Sequence, residues 1–315
     1  MGRLTALGCV VVLALGLAAC GGEEQYPPVP QAPQTPPAPQ TPSNPPTQPV
    51  PLPSALQSVV SQIQLPLAGN VGMDLDGDGL VDNQIGRLLG ELRDMLGLDL
   101  QATLDKQLAA GKAIVLYDLR ARSLVNDSGV ELRAYIGADL DGMPADNFSG
   151  GESFAVKGTP VGAGVMPAAI AASRLASTTP ERGFVSLPFL SETTVLPLRL
   201  TRLQATVGPD GLREGFLAGA IPVTEAVDRL APVLAAELDR LYKLPTVSPT
   251  MVQAFRALLD IDGDGTITDD ELKASNAFGF LLHSADIDTD DDGTPDAISF
   301  GIGFRAVPCQ ILGVD

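Results

Sequence analysis

The chain has 315 residues, of which 45% are hydrophobic, and its 38 acidic and 20 basic residues give a formal net charge of -18. This length and apolar content allow one large domain or two small ones with packed cores. The acidic balance excludes the basic surface that nucleic acids require and disfavours direct adsorption to anionic lipid headgroups.

The N-terminus has the parts of a bacterial export signal in the expected order. Arg3 supplies a positive charge, and Leu7–Leu17 is an apolar stretch too short to span a bilayer as a mature helix. The stretch ends in Leu17-Ala18-Ala19-Cys20, which resembles the lipobox of bacterial lipoproteins. That resemblance implies cleavage before Cys20 and a membrane anchor of acyl chains on Cys20. Gly21 follows the cysteine instead of Asp. By resemblance to enteric lipoprotein sorting, this implies an outer-membrane lipoprotein that faces the periplasm or the cell surface.

A proline-rich segment follows the predicted anchor. Tyr26–Pro53 contains 13 of the 27 prolines and no charged residue, so it cannot form a β-ladder or a core. We expect a polyproline-II stalk with a reach of up to about 90 Å, at ~3.1 Å per residue. The predicted organisation is a signal peptide at 1–19, a lipid-anchored linker at 20–53 and a folded calcium-binding domain at 54–315.

Hydrophobic periodicity predicts both helices and strands after the linker. Helical spacing occurs at 85–96, 100–108 and 227–241, and Ser248-Pro249 predicts the start of a helix that runs to Leu259. Alternating or apolar runs predict strands at 114–119, 130–136, 196–200, 203–207, 216–221 and 298–306. A change of parity near Thr201-Arg202 indicates a bulge, and Pro209-Asp210-Gly211 indicates a turn. The predicted fold class is α+β: an antiparallel β-sheet or sandwich with helical insertions that include one EF-hand helix-loop-helix.

The stretch Asp260–Glu271, DIDGDGTITDDE, places six carboxylates within twelve residues. Such charges repel one another unless a cation neutralises them. The spacing matches the EF-hand loop, in which Ca²⁺ takes about six to eight oxygens, a glycine at position 6 permits a sharp turn and a bidentate Glu occupies position 12. Residues 249–282 therefore resemble the EF-hand family. That resemblance implies bound Ca²⁺ with these ligands: Asp260, Asp262, Asp264, Thr266 through its carbonyl, Thr268 through a water, and Glu271.

Two other segments, Asp74–Asp82 and Asp288–Asp296, share the pattern D-x-D-x-D-G-x-x-D. Both lack a Glu at position 12, and they resemble the shorter calcium loops of thrombospondin type 3 repeats and dockerins, in which the Asp at position 9 supplies an oxygen. The predicted ligands are Asp74, Asp76, Asp78, Leu80 and Asp82 in one segment, and Asp288, Asp290, Asp292, Thr294 and Asp296 in the other. Turns without metal are the alternative. In chain order, Asp74–Asp82, Asp260–Glu271 and Asp288–Asp296 are called the first, second and third acidic loops below.

A fourth stretch, Asp139–Asp146, lacks the Asp at position 5 and is predicted to be a turn.

The compartment indicates what Ca²⁺ does in the three loops, because extracellular modules bind it with Kd of about 10⁻⁴ to 10⁻³ M and are usually occupied. Once Cys9 is removed and Cys20 acylated, Cys309 is the remaining thiol, so no internal disulfide is expected. Calcium is then the available cross-link, with a structural role.

Catalytic residue types are scarce. His283 is the single histidine, and Ser299, within Ala297–Gly301, only faintly resembles a nucleophile elbow because no histidine follows it.

The acidic loops, the lipobox and the stalk together resemble calcium-loop lipoproteins of myxobacterial type. We therefore expect a non-enzymatic, tethered Ca²⁺-binding module for adhesion, envelope organisation or display, with a protein or glycan as ligand. The alternatives are a secreted-type hydrolase stabilised by Ca²⁺ and a dockerin-like protein-docking module.

Overall fold

The structure is a computed structural model that describes residues 52–66, 71–96, 100–158, 165–188, 194–242, 253, 256–257, 259–275 and 284–313. The predictions for the signal peptide, for Cys20, for the linker up to residue 51 and for His283 lie outside these residues, as does much of the helix that enters the second acidic loop. Val50–Asp315 forms one compact unit. Among the helices that the structure describes, none is both long enough and apolar enough to cross a membrane.

The described residues form eleven strands and four helices. The strands are β1 (Ser54–Gln64), β2 (Val115–Arg120), β3 (Asp127–Asp139), β4 (Ser153–Gly158), β5 (Val165–Ala171), β6 (Arg174–Ser177), β7 (Glu181–Leu187), β8 (Thr194–Gly208), β9 (Gly211–Pro222), β10 (Ala297–Pro308) and β11 (Gln310–Leu312). The helices are α1 (Gln84–Leu96), α2 (Leu100–Ala109), α3 (Val223–Tyr242) and α4 (Asp269–Ala274). The predictions of α1–α3 and of β2, β3, β8, β9 and β10 are confirmed as to type, whereas the sequence analysis does not predict β1, β4–β7 or β11.

Eight of the strands close into an antiparallel barrel. Their order is β3-β2-β1-β10-β9-β8-β6-β5, and β5 returns to β3, where Val130 is opposite Ala168 and Leu132 is opposite Met166. All the neighbours around this ring pair antiparallel. Outside the ring, β4 pairs with β3, β11 pairs with β4, and β7 pairs with β8.

The predicted fold class is therefore wrong. The domain is mainly β and is built on a closed barrel, not on an α+β open sheet or sandwich with helical insertions. Alternation of apolar residues identifies single strands, but it does not report which strands pair. Closure depends on the pairing of β3 with β5, which are separated in the chain by β4.

Apolar side chains from all eight barrel strands form one core. Leu119, Leu203 and Phe300 are each 1% exposed within it, and Leu104 of α2 and Ala226 of α3 join the same cluster. An eight-stranded barrel has an interior just wide enough for side chains to fill. Burial of each Leu or Phe contributes about 1.5–3 kcal/mol to the free energy of folding, so the barrel is a packed scaffold for its loops.

The outer face of β9 and β10 receives the first and third acidic loops. This face presents the small buried residues Ala218, Ala220 and Ala297, which pack against Met73, Leu75 and Ile287 from the segments around the two loops. Gly301 lies on the same side of β10, where an added Cβ would lie 2.8 Å from the ring of Phe216. Small side chains on these strands therefore let the loop segments lie directly on the barrel wall.

Candidate metal sites

The three acidic loops share one turn geometry, made by their own aspartates. The carboxylate at position 1 accepts the amide of the glycine at position 6, over 3.0 Å for Asp74 and Gly79, 3.0 Å for Asp260 and Gly265, and 2.6 Å for Asp288 and Gly293. The carboxylate at position 5 accepts the amide at position 7 over 2.7, 2.7 and 2.8 Å in the same order. The three glycines have φ of 86°, 89° and 88°, a left-handed conformation that other residues adopt only at a cost. The pattern Asp-x-Asp-x-Asp-Gly therefore encodes the turn locally.

Each loop brings three carboxylates together, with oxygens that lie within 4.8 Å of one another. The groups are Asp74, Asp76 and Asp78 in the first loop, Asp260, Asp262 and Glu271 in the second, and Asp288, Asp290 and Asp292 in the third. The predicted carboxylate ligands Asp264, Asp82 and Asp296 lie outside these groups. Hard oxygen donors of this kind suit Ca²⁺.

In the second loop, Glu271 folds back across the turn. Its Oε1 accepts the amides of Ile261 at 2.8 Å and Asp262 at 3.2 Å, and its Oε2 accepts the amide and hydroxyl of Thr268 at 2.9 and 2.8 Å. These hydrogen bonds, those from Thr268 foremost, lower the pKa of Glu271 to about 2. The carboxylate at position 12 is therefore held in its charged form and directed at the loop.

The ends of the second loop are tied to the surrounding helices. Thr268 is the N-cap of α4, and its hydroxyl takes part in a capping box with Glu271. The contact of Thr268 with Ca²⁺ through a water and the contact of the Thr266 carbonyl with Ca²⁺ both stay predictions. Ile267 is 4% exposed and packs in a cluster with Ala231 and Ala235 of α3. Arg256 donates to the carbonyl of Gly265 at 3.1 Å. The loop is thereby fixed to α3 and α4.

One oxygen of the second loop is buried without a partner. Asp260 Oδ2 accepts the amide of Gly265, but Asp260 Oδ1 is buried and accepts no hydrogen bond. A buried carboxylate oxygen is costly unless a donor or a cation compensates it. Because Asp260 also lies in the carboxylate group with Asp262 and Glu271, the residues present fit a bound divalent cation.

In the first and third loops, the Asp at position 9 closes the loop. Asp82 accepts the amide of Leu75 at 2.6 Å, and Asp296 accepts the amide of Thr289 at 2.8 Å. Burial raises the pKa of Asp82. The predicted carbonyl ligands at position 7, Leu80 and Thr294, donate their amides to position 5, and their metal contacts remain predictions.

Repulsion between carboxylates is evident in the third loop. The neighbouring Asp292 carboxylate, followed by burial, raises the pKa of Asp290. A divalent cation between them would remove this repulsion. The electrostatics of the loop therefore favour a cation, in agreement with its oxygen donor set.

Two arginines on β8 attach these loops to the barrel. Arg202 donates to the carbonyl of Asp74 at 3.0 Å, and Arg199 donates to Thr289 at 2.7 Å and to Asp296 at 3.4 Å. The ladder between β8 and β9 shifts register between Arg199 and Arg202, which confirms the predicted bulge. The sequence analysis does not identify either arginine as part of a site.

A part-buried polar network joins the segments that flank the first and third loops. Asp286 accepts the amide of Ser299 at 2.7 Å and its hydroxyl at 2.5 Å, and the same hydroxyl accepts the amide of Gln84 at 2.7 Å. Burial raises the pKa of Asp286. Ser299 is 0% exposed, so its hydroxyl is structural and closed to a substrate.

The thiol of Cys309 is half-buried, and burial raises its pKa to about 12.

Comparisons of the chain with protein-family models, with curated proteins and with solved structures find no match. Inference about function therefore rests on the geometry of the loops and on the sequence. The residues that the sequence analysis missed are Arg199, Arg202 and Asp286, which lie outside the calcium-loop patterns. The two arginines reach the loops only through the fold, and Asp286, two residues before the third loop, reaches Ser299 of β10 only through the fold.

Proposed function

We propose that the protein is a lipid-tethered, non-enzymatic module whose barrel carries three structural Ca²⁺ sites. The observation that carries this proposal is the gathering of three carboxylates in each acidic loop, together with the buried, unpartnered oxygen of Asp260. Ca²⁺ is favoured over Mg²⁺ because a flexible set of carboxylates, carbonyls and waters suits its larger and more variable shell.

A structural role is favoured over a sensing role by the way the loops are held. Amide hydrogen bonds within each loop already form the turn, and arginines or an apolar anchor fix each loop to the barrel or to its helices. A cation that binds such a loop stabilises the folded state by mass action. The free energy of Ca²⁺ binding at the three loops then adds to the free energy of unfolding of the domain.

We further propose that the anchor at Cys20 and the stalk hold this domain away from an outer membrane, where it serves adhesion, envelope organisation or display of a protein or glycan ligand. The lipobox and the uncharged proline-rich segment support this part of the proposal. Metabolic labelling with a fatty acid tests the anchor, because Cys20→Ser should abolish the label while Cys9→Ser retains it. Label that persists in Cys20→Ser contradicts acylation at Cys20.

Thermal unfolding tests the calcium sites. The midpoint should rise in Ca²⁺ relative to EDTA, and Mg²⁺ at the same concentration should have a smaller effect. Superimposable curves in EDTA and in millimolar Ca²⁺ would falsify the structural role. Screening glycan and peptide libraries for binding and turnover distinguishes a display module from a hydrolase.

A further inference from the structure

A cleft lies on the outer wall of the barrel, beside the first acidic loop. Its volume is about 350 Å³, within the range of about 300–1,000 Å³ that small-molecule sites occupy. Strands β8 and β9 form one side of the cleft, and the segment that enters the first loop forms the other. The lining residues are Gly72, Met73, Asp74, Arg202, Gln204 and Phe216. The cleft therefore exists only because a loop segment lies on the barrel wall.

Three of the lining side chains share the outer face of β8 and β9. Arg202 and Gln204 are two residues apart on β8, and Gln204 is opposite Phe216 in a ladder that is regular between these positions. Residues two apart on a strand, and residues opposite each other in a ladder, present their side chains to one face. A guanidinium, an amide and an aromatic ring therefore border the same cleft.

Arg202 keeps hydrogen-bond donors available at the cleft. It is partly buried and donates to the carbonyl of Asp74 at 3.0 Å, but within the described residues it forms no ion pair, whereas the nearby Arg199 pairs with Asp296 at 3.4 Å. A guanidinium has five N–H donors, so most of those of Arg202 remain for a ligand. Because this cation lacks a carboxylate partner, the cleft suits a ligand that brings one.

Gln204 and Phe216 suit a ligand that is both polar and apolar. Gln204 is exposed, and its side chain makes no hydrogen bond in the part of the chain that the structure describes. Its amide both donates and accepts, which matches the hydroxyls of a sugar. Phe216 is partly buried against β10, and an aromatic ring offers apolar surface whose negative face attracts C–H groups. A sugar ring presents hydroxyls at its edge and C–H groups on its faces.

An extended peptide is a poorer fit to this cleft. Peptides that add to a sheet need an exposed strand edge, but β8 is paired on both sides here, since Gln204 is opposite Ala176 of β6 and Phe216 of β9. Phe216 is in turn opposite Gly303 of β10. Grooves that bind proline-rich peptides are lined by several aromatic side chains, and this lining has one. A compact ligand is therefore favoured.

We propose that the cleft binds a carboxylate-bearing sugar of the uronic acid type, as one unit of a glycan. Arg202 binds the carboxylate, Gln204 binds a hydroxyl and Phe216 contacts the ring. This inference rests on the proposed display of a ligand and names the chemical class of that ligand. The carboxylates of the first acidic loop repel an acidic sugar unless a cation neutralises them, so binding should be stronger in Ca²⁺ than in EDTA.

Saturation-transfer NMR of the full chain in Ca²⁺ tests the cleft, with methyl glucuronide as the probe and methyl glucoside as its neutral match. The glucuronide should bind about 10-fold more tightly or better, because hydrogen bonds to charged groups are the stronger ones. Arg202→Gln should abolish this preference. Arg305→Gln is the matched control, because Arg305 is an exposed arginine of β10 outside the lining, and it should retain the preference. Absence of glucuronide binding to the wild type, or equal binding to Arg202→Gln, overturns the proposal.

A second variant separates ligand binding from the support of the first loop, since Arg202 also holds the carbonyl of Asp74. Gln204→Ala should weaken glucuronide binding about 3–10-fold and leave the unfolding midpoint in Ca²⁺ unchanged. Equal affinity in Gln204→Ala and the wild type contradicts the site. N-acetylglutamate represents an acidic peptide, and if it binds as tightly as the glucuronide, the assignment to a sugar is wrong.

Failure of the cleft is distinguishable from failure of the calcium sites. Unfolding curves that separate in EDTA and Ca²⁺, together with no glucuronide binding, refute the cleft alone. Superimposable curves together with glucuronide binding that depends on Arg202 refute the calcium sites alone. The two proposals thus have separate measurements.

Discussion

The substitution Asp260→Asn should destabilise the domain in Ca²⁺ but not in EDTA. In EDTA the substitution deletes a charge beside Asp262 and Glu271, and the new amide can still accept the hydrogen bond from Gly265. Relief of repulsion should leave the midpoint of thermal unfolding equal to that of the wild type or above it. In Ca²⁺ the same variant loses a charged ligand at position 1 and should unfold at a lower temperature.

The size of the loss follows from mass action. A site with Kd of about 10⁻⁴ M, at about 1 mM Ca²⁺, stabilises the folded state by RT ln 11, or about 1.4 kcal/mol. For a domain of this size, 1 kcal/mol shifts the midpoint by about 2–4 °C. Complete loss of the site therefore lowers the midpoint in Ca²⁺ by about 3–6 °C.

Differential scanning calorimetry in EDTA and in Ca²⁺ measures both effects. Asp270→Asn is the matched control, because Asp270 is an exposed carboxylate of the same loop outside the carboxylate group. That variant should shift the midpoint equally in both conditions. If Asp260→Asn also shifts it equally in both, the unpartnered oxygen of Asp260 is not a cation ligand, and the reasoning fails.

The remaining predictions concern coupling, backbone strain and pH. The first and third loops pack in one cluster, so the effects of Asp74→Asn and Asp288→Asn on the free energy of unfolding in Ca²⁺ should show an interaction energy of about 0.5–3 kcal/mol. The effects of Asp74→Asn and Asp260→Asn should be additive within about 0.5 kcal/mol. Equal interaction energies in the two pairs, measured by denaturation, contradict the shared support. Gly265→Ala should lower the free energy of unfolding in EDTA by about 1–2 kcal/mol, because φ at this position is 89°. The atom nearest to an added Cβ is 3.9 Å away, so the loss comes from the backbone conformation and not from a clash. Urea denaturation that shows no loss contradicts the strain. Glu271 has its folded pKa lowered to about 2 from 4.5, so in EDTA its contribution to stability is complete above pH 4.5 and is lost as the pH falls toward 2. Unfolding followed from pH 6 to pH 2 should show this loss in the wild type and not in Glu271→Gln, and identical pH profiles contradict it.

The local parts of the fold were predictable because their information is local. The clean alternation of Ile298, Phe300, Ile302 and Phe304 reports the face of β10 that carries large apolar side chains, opposite the small residues that the loops cover. The change of parity in β8 appears as the register shift between Arg199 and Arg202. Each signal depends on residues a few positions apart, which a strand or a bulge brings into fixed relation.

β1 gave no such signal, because large apolar residues are buried on both of its faces. Val59 and Val60 of β1 are both buried, since Val60 joins the barrel core while Val59 packs outside it with Leu116 and Phe154. The outer cover that buries Val59 includes β4, which the sequence analysis did not detect. In β1 a second layer covers large apolar side chains on the outer face, so apolar residues stand at both parities and alternation is lost.

The candidate sites divide in the same way. The order of aspartates and glycine within each acidic loop determined the turn by itself, because position 1 accepts the amide of position 6 and each turn closes on its own residues. It did not determine every member of the carboxylate groups, since Asp264 lies outside the group of the second loop and Glu271 lies within it. Only the tertiary structure decided that β3 pairs with β5, that Arg199 and Arg202 reach two of the loops, and that Asn147 is buried in the turn after β3. Those contacts join elements distant in the chain, or depend on what packs around a turn, and no spacing of neighbouring residues encodes them.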